Sequence, residues 1–303
     1  MPLKGSNMNI AFSSDNNYAP YLAISILSIL KNNSYFKIYF YILDFGIEDD
    51  NRKIIEDIIS KNGMNVRFIK VDKDSFSDFP LTISYISPAT YARLNITKYI
   101  PNVDKLLYID VDTLTNGPLD ELWNTDIENY SLAACKDYFI EIDQVDYKPK
   151  IGLAEYSYFN AGVLLINMQR WRELNVLEVS LEWLDKYKDI IEYQDQDILN
   201  GIFKDDVKFI NSRFNFTPAE CGYIKYLKKR DIQFPAVIYH YPGPDKFWSI
   251  KSTHLKANLG YSLFKQICND YPNFKAKFDE IDFKTKIKRL IKEIRYKLIY
   301  HIF

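Results

Sequence analysis

With 303 residues, 47% of them hydrophobic and 26% charged, the chain is long enough to bury one large core and has the balance of an ordinary globular protein. A formal net charge of −1 supplies no global basic field, which argues against nucleic acid as a partner. The cysteines, Cys135, Cys221 and Cys268, are odd in number, far apart and outside CxxC spacing, so a reducing cytoplasm is the expected setting.

The opening MPLKGSNMNIAFSSD has no continuous apolar core and is not read as a secretory signal; Met1–Asn7 reads as an addition ahead of a natural start at Met8. Short apolar runs then alternate with helical patterns. NIAFSSD precedes APYLAISILSILKNN, KIYFYILDF precedes EDDNRKIIEDIISKNG, and NVRFIKV precedes a helix around SPATYARLNITKYI, followed by KLLYIDVD. Within the second helical segment Ile47, Ile54, Ile55, Ile58 and Ile59 follow a 3.6-residue period, and Gly63 supplies a stop. LAISILSIL is interrupted by serines and far shorter than the roughly 20 residues of a membrane span, so it reads as a buried helix. Further strands are expected at SLAACKD, FNAGVLLINM, VKFI and AVIYHYPG; after about Ser249 the pattern turns helical and basic. The rhythm predicts a mostly parallel sheet covered by helices, with ligands beyond the carboxyl ends of the strands.

The unusual polar residues sit at those ends. The first strand runs into SSDNNY without a GxGxxG turn, so a nucleotide there must be held by side chains: Asp15 is suited to accept the imide N–H of uracil and Tyr18 to stack on its ring. Helix capping by Asp15, Asn16 or Asn17 is the alternative. In YIDVDTL, Asp110 and Asp112 are two apart, so an extended chain points both to one face and turns Val111 back into the sheet. Paired carboxylates suit Mn²⁺ or Mg²⁺. A DxD alone is weak, because DKD (Asp72–Asp74) and DQD (Asp195–Asp197) also occur. HYPGPDKFW adds His240, an imidazole that favours Mn²⁺, with Gly243 and Lys246 placed to meet a phosphate. Taken singly, His240 reads as a half-buried histidine and Lys246 as a solvated loop residue; together the two motifs read as a metal–diphosphate site.

AFSSDNNYAPYL, TYARLNI, LLYIDVDTL, YFNAGVLLINMQRW, YQDQDILNG and NSRFNF resemble the retaining glycosyltransferases of family 8, most closely the lipopolysaccharide α-galactosyltransferases, from about Met8 to Trp248. The resemblance implies an α/β GT-A fold, a Rossmann-like mixed, mostly parallel sheet flanked by helices, with a UDP-hexose donor and Mn²⁺. It divides the chain into a catalytic domain, 8–248, and a helical basic tail, 249–303. By position it implies metal ligation by Asp110, Asp112 and His240, with Val111 between the carboxylates, and uridine contacts by Asp15, Asn17 and Tyr18. It implies diphosphate contacts by Gly243 and Lys246, and donor-sugar contacts by Arg93, Asp110, Asn160, Ala161, Asp195 and Gln196, with Asp137 close by. Gln196, Asp195, Asp137 and Arg93 are the expected catalytic group. Tyr85 and Pro242 stand where the nearest relatives have histidine and cysteine, and Thr217–Pro235 is shorter than their acceptor rim.

The expected function is therefore transfer of a hexose, galactose first, from a UDP-sugar to a sugar hydroxyl of a surface glycolipid, in lipopolysaccharide biosynthesis. The alternatives are a UDP-glucose-using family 8 enzyme acting on a glycan or glycoprotein, a haloacid-dehalogenase-type phosphatase, whose DxD motif YIDVDTL resembles, or a non-catalytic sugar-binding module. Phe283–Phe303 explains how such an enzyme reaches a lipid-borne acceptor: Phe283, Ile287, Leu290, Ile291, Ile294, Leu298 and Ile302 line one helical face, and Lys284, Lys288, Arg289, Lys292 and Arg295 lie toward the other. This predicts peripheral binding to the anionic inner face of the cytoplasmic membrane; the alternative packs the apolar stripe on the catalytic domain.

Overall fold

The computed structural model describes residues 7–76, 79–82, 88–217, 220, 235–249, 255–278 and 282–299. Strands β1 (Asn7–Ser14), β2 (Lys37–Asp44), β3 (Asn65–Lys70), β4 (Lys105–Ile109), β6 (Leu132–Lys136), β7 (Phe159–Asn167) and β8 (Val207–Ile210) form one sheet in the order β3-β2-β1-β4-β7-β6-β8. Pairing is parallel except that β7 runs antiparallel to both β4 and β6. β5 (Thr113–Thr115) and β9 (Ile238–His240) make a separate antiparallel ribbon.

The central strands are continuous apolar runs because both faces are covered. Ile10 and Phe12 of β1, Leu107 and Ile109 of β4, and Val163 and Leu165 of β7 enter one core. The alternate residues Ala11, Leu106, Tyr108, Leu164 and Ile166 enter the core on the opposite face. Helix α1 (Ala19–Asn32) is buried from Ala19 to Leu30, as its apolar composition predicts. Its serines are not idle there: Ser28 Oγ accepts from Thr115 N at 2.9 Å, and Ser25 Oγ lies 3.0 Å from Thr113 Oγ1, so polar atoms inside the helix satisfy the ribbon beside it.

Two local expectations are corrected. Helix α2 (Asp49–Lys61) begins after Ile47, which is buried in the preceding turn. The SPATYARLNITKYI segment is a 3₁₀ turn over Pro88–Asn95 followed by one turn of helix, α3 (Ile96–Tyr99). Tight winding there keeps Arg93 within reach of the β4 end. Helices α4 (Asp120–Trp123), α5 (Tyr138–Asp143), α6 (Met168–Leu174), α7 (Val176–Tyr187) and α8 (Asp195–Phe203) complete the layers up to β8.

β1 connects to β2 on one side and pairs with β4 on the other, so the strand order reverses between β1 and β4. A crevice opens at such a reversal, beyond the carboxyl ends of the strands. Ser14 and Asp110 flank it.

Packing does not break at Trp248. Leu255, Ala257, Leu263 and Ile267, mostly from α9 (Ala257–Asp270), join the same core as α1. Beyond it, α10 (Phe283–Ile299) docks by its polar side: Arg289 is buried, whereas Phe283, Ile287, Leu290, Ile291, Ile294 and Leu298 are exposed. The reading in which the apolar stripe packs inward is thereby overturned. Ile302 lies outside the described residues, and among those described no helix is long and apolar enough to cross a membrane.

Candidate active site

Asp110 and Asp112 come together by a different route from the one an extended chain suggests. β4 ends at Ile109, and residues 110–112 form the turn into β5. Asp110 N donates to Gly162 O of β7 at 2.8 Å, and Tyr241 N donates to Asp112 O at 3.1 Å. Val111, half-buried between them, packs against the core that holds Ile109 and Leu114 and also lines the crevice with both aspartates. The ribbon pairs Thr113 with His240, which carries the imidazole to the same turn.

Each carboxylate already faces a buried cation of the protein. Arg93 Nη2 donates to Asp110 Oδ1 at 2.9 Å, and its Nε lies 2.8 Å from Asp195 Oδ2. Its Nη1 donates to Ala161 O, its Nη2 also to Thr90 Oγ1 at 3.0 Å, and its guanidinium lies over the Tyr108 ring. Lys246, expected in a solvated loop on its own, is 8% exposed and donates to Asp112 Oδ2 at 2.5 Å and Tyr241 O at 2.9 Å. The two aspartates therefore differ. Burial pushes the Asp110 carboxyl up in spite of Arg93; burial acts the same way on Asp112, but the Lys246 ammonium against it holds that carboxyl well below the usual range.

A hydrogen-bonded chain fixes His240. Asn160 Nδ2 and Gln196 Nε2 donate to Asp137 Oδ2 at 2.9 and 3.2 Å. Asn215 Nδ2 donates to Asn160 Oδ1 at 2.8 Å, so the Oδ1 of Asn215 accepts from His240 Nδ1 at 2.9 Å. This assigns a proton to Nδ1 and makes Nε2 the ring atom turned toward the carboxylates. That atom is buried and has no aligned hydrogen-bond partner, lying 3.3 Å from Asp112 Oδ1 and 3.8 Å from Asp110 Oδ2. An imidazole nitrogen placed against two carboxylates calls for a positive charge between them, which a divalent cation supplies with Nε2 as a neutral ligand. One ligand atom from each of Asp110, Asp112 and His240 lies within 4.8 Å of the others, so the set fits a divalent metal.

The three DxD motifs separate cleanly. Asp72 and Asp74 are exposed and form a local turn. Asp195 and Asp197 are buried at the start of α8. Asp197 accepts from the hydroxyls of Tyr147 and Tyr158 at 2.5 Å and from the N–H groups of Glu192 and Tyr193, anchoring the helix start. Asp195 instead faces the crevice, accepts from Thr90 Oγ1, and burial pushes its carboxyl up to about 6 against Arg93.

The crevice encloses about 500 Å³ and is lined by Asp15, Tyr18, Arg93, Asp110, Val111, Asp112, Asp137, Asn160, Ala161, Asp195, Gln196, His240, Gly243 and Lys246. Of the candidates from sequence, Asn17 alone is absent from this lining; it is exposed on the turn before α1. Asp15 Oδ1 accepts from Tyr18 N at 3.1 Å, so Asp15 also orders the turn that presents Tyr18. Pro242 lines the crevice, whereas Tyr85 and 221–234 lie outside the described residues. Sequence reasoning gave no role to Thr90, Phe139, Gly162, Tyr193 or Asn215. The signal was present for Gly162 and Asn215 in FNAGV and NSRFNF, but neither residue is ionisable and their importance depends on His240 being adjacent.

The profile of glycosyl transferase family 8 matches residues 9–252. A Haemophilus influenzae relative is 53% identical over 291 residues, covering 95% of this chain and 88% of its own. A lipopolysaccharide 1,2-glucosyltransferase of Escherichia coli K12 is 26% identical over 303 residues, with 95% and 87% covered. Among solved structures, the galactosyltransferase LgtC in complex with donor and acceptor sugar analogs superposes with a TM-score of 0.81 at 38% identity, over 93% of this chain and 100% of that one. With its mixed sheet, its acidic crevice at the strand reversal and a family match spanning most of its length, the chain belongs to glycosyltransferase family 8.

Proposed function

We propose that the protein moves a hexose, galactose in the first instance, from a UDP-sugar to a sugar hydroxyl of a surface glycolipid, with Mn²⁺ and with retention at the anomeric carbon. The observation that carries this reading is the buried Nε2 of His240, without an aligned hydrogen-bond partner and turned toward Asp110 and Asp112 inside a crevice that also holds Lys246. UDP-glucose is the alternative donor, since relatives of both kinds surround the chain.

Asp110, Asp112 and His240 would hold the metal, which when bound neutralises charge developing on the departing diphosphate. Lys246 supplies a second positive charge at the same place. On the uridine side, Asp15 and Tyr18 offer an acceptor and a ring. Arg93 holds Asp110 and Asp195 in fixed relation, which suits carboxylates that orient sugar hydroxyls. Gln196 is locked: its Oε1 accepts from Ala161 N at 2.9 Å while its amide N donates to Asp137. Its neutral amide and the clamping of Asp195 by Thr90 and Arg93 favour attack by the acceptor from the face that UDP leaves, without a covalent sugar on the protein.

The outward apolar face of α10, with Lys284, Lys288, Lys292 and Arg295 on the same helix, supports a peripheral place on the anionic inner face of the cytoplasmic membrane, where a glycolipid acceptor is presented. Incubation with a panel of UDP-sugars and Mn²⁺, without acceptor, tests the donor reading. Slow release of UDP from UDP-galactose, abolished by EDTA, is expected; release from no UDP-hexose overturns it.

A further inference from the structure

The tail helix is tied to the crevice wall. Arg289 of α10 is 1% exposed, and its Nη2 donates to Ser249 O at 2.9 Å. Ser249 N in turn donates to Lys246 O at 3.0 Å, closing the turn whose lysine reaches Asp112 Oδ2. Within this turn Trp248 stacks on Tyr21 at 3.7 Å and meets the edge of Tyr18, a lining residue of the crevice. A second tie lies one turn of helix further on. Glu293 Oε1 accepts from Lys256 N at 3.0 Å, and Lys256 sits at φ 63, a conformation that a non-glycine residue holds only when its surroundings impose it. Asn258 Nδ2 donates to Lys286 O at 3.2 Å.

An amphipathic helix on a globular protein ordinarily buries its apolar stripe. Here the polar contacts face inward, and the side chains that would gain most from leaving water face out, with exposures from 37% at Ile287 to 79% at Phe283. Lys284, Lys288 and Arg295 are exposed beside them. Apolar and basic side chains together match an anionic bilayer surface better than a second protein, whose interface core is depleted of charge. Docking and membrane contact use opposite sides of the helix, so they do not compete. Because a 17-residue segment is only marginally helical without tertiary packing, the docked segment offers a bilayer a preformed apolar and basic face that the undocked one must first order.

We propose that α10 is a membrane-loaded latch: an anionic bilayer on its outward face stabilises the docked helix, which through Arg289 and Glu293 holds the Lys246–Ser249 turn in place to receive a nucleoside diphosphate. The proposal rests on the membrane reading above. A surface that favours the docked helix favours whatever the docked helix favours, so bilayer binding tightens donor binding and the donor tightens bilayer binding.

The test uses the full chain, UDP with Mn²⁺ followed by calorimetry, and vesicles of phosphatidylcholine with or without phosphatidylglycerol. Anionic vesicles are expected to sediment the protein and lower the Kd for UDP by about fivefold or more, the lower end of ordinary couplings. Leu290→Glu with Ile294→Glu should lose both effects and keep the vesicle-free Kd. Arg289→Ala should still sediment yet bind UDP no more tightly on vesicles, with partial recovery in Arg289→Lys; if Arg289→Ala does not fold, Glu293→Gln serves in its place and should lose the same response. A protein that sediments with an unchanged UDP Kd overturns the latch and leaves the membrane reading standing. Failure to sediment overturns both, as does a concentration-dependent dimer that Leu290→Glu disperses, which would make a second copy the occupant of this face.

Discussion

The imidazole of His240 occupies the space in which Gly162 would otherwise carry a side chain. A Cβ at Gly162 would stand 2.2 Å from His240 Cε1 and 2.9 Å from Nε2, and the Gly162 carbonyl accepts from Asp110 N. One glycine therefore lets two of the proposed metal ligands approach. Gly162→Ala is expected to displace the ring and weaken Mn²⁺ binding at least tenfold with the fold retained, and Asn215→Ala to weaken it about 10- to 100-fold by releasing Nδ1. Mn²⁺ titration followed by electron paramagnetic resonance checks both; unchanged affinity in both variants would remove His240 from the ligand set.

Asp110 and Asp112 should respond differently to neutralisation when no metal is present. On charge repulsion alone, removing either carboxylate relieves strain. Asp112, however, is the partner of the buried Lys246 ammonium, so Asp112→Asn strands a cation and should cost about 3–5 kcal/mol. Asp110→Asn leaves Arg93 paired with Asp195 and should cost less. Chemical denaturation in EDTA measures the difference, and equal losses would contradict the assigned pairing.

Arg93→Lys keeps the charge and loses the fork. A single ammonium does not reach Asp110, Asp195, Thr90 and the Ala161 carbonyl together. UDP-sugar hydrolysis should fall by about 100-fold or more, the scale associated with misplacing groups around a reacting centre. Near-normal turnover would show that Asp195 and Asp110 hold their places without it.

Glu220 predicts a pH dependence of stability. It is 1% exposed, accepts from Thr217 N and Oγ1, and burial pushes its carboxyl from 4.5 up to about 8. Between those values the native state keeps a proton that the unfolded chain has released, so stability falls as pH rises through this window. At about 1.4 kcal/mol per unit of displacement the effect amounts to a few kcal/mol. In Glu220→Gln this share of the slope should disappear; urea midpoints at several pH values between 5 and 8 decide it, and parallel slopes in the two proteins would refute the assignment.

Gln196→Glu puts a carboxylate oxygen where an amide N–H donates to Asp137 at 3.2 Å. Two like charges at that spacing raise the affinity of the pair for a proton. Donor hydrolysis is expected to fall above neutral pH and to recover partly as the pH is lowered. A flat pH profile identical to wild type would mean that Gln196 does not act through Asp137.

The alternation of apolar runs and helical patterns was enough to locate every strand of the large sheet, because strands buried on both faces leave uninterrupted apolar segments between polar turns. It missed β5, whose residues Thr113–Thr115 follow the aspartates too closely to read as a new element, and it placed Asp110 and Asp112 on a strand when they occupy a turn. Residue type and position in the order of elements likewise pointed to Asp110, Asp112, His240 and Lys246, since ionisable groups at strand ends have few purely structural uses.

Sequence by itself determined the strands and their helical cover, which follow from local periodicity, and the chemical types at the crevice, while the resemblance of its motif segments pointed to the family. Only the tertiary structure decided who faces whom. Lys246 pairs with Asp112 across 134 positions of chain, and Asn215, just past a 3₁₀ turn, accepts from His240 Nδ1 and orients the ring. The orientation of α10 belongs to the same class. Its sequence holds an apolar face and a basic face, and periodicity is silent on which of them a neighbour will cover. Arg289 and Glu293 settle that by finding Ser249 and Lys256, contacts that exist only once the chain has closed on itself.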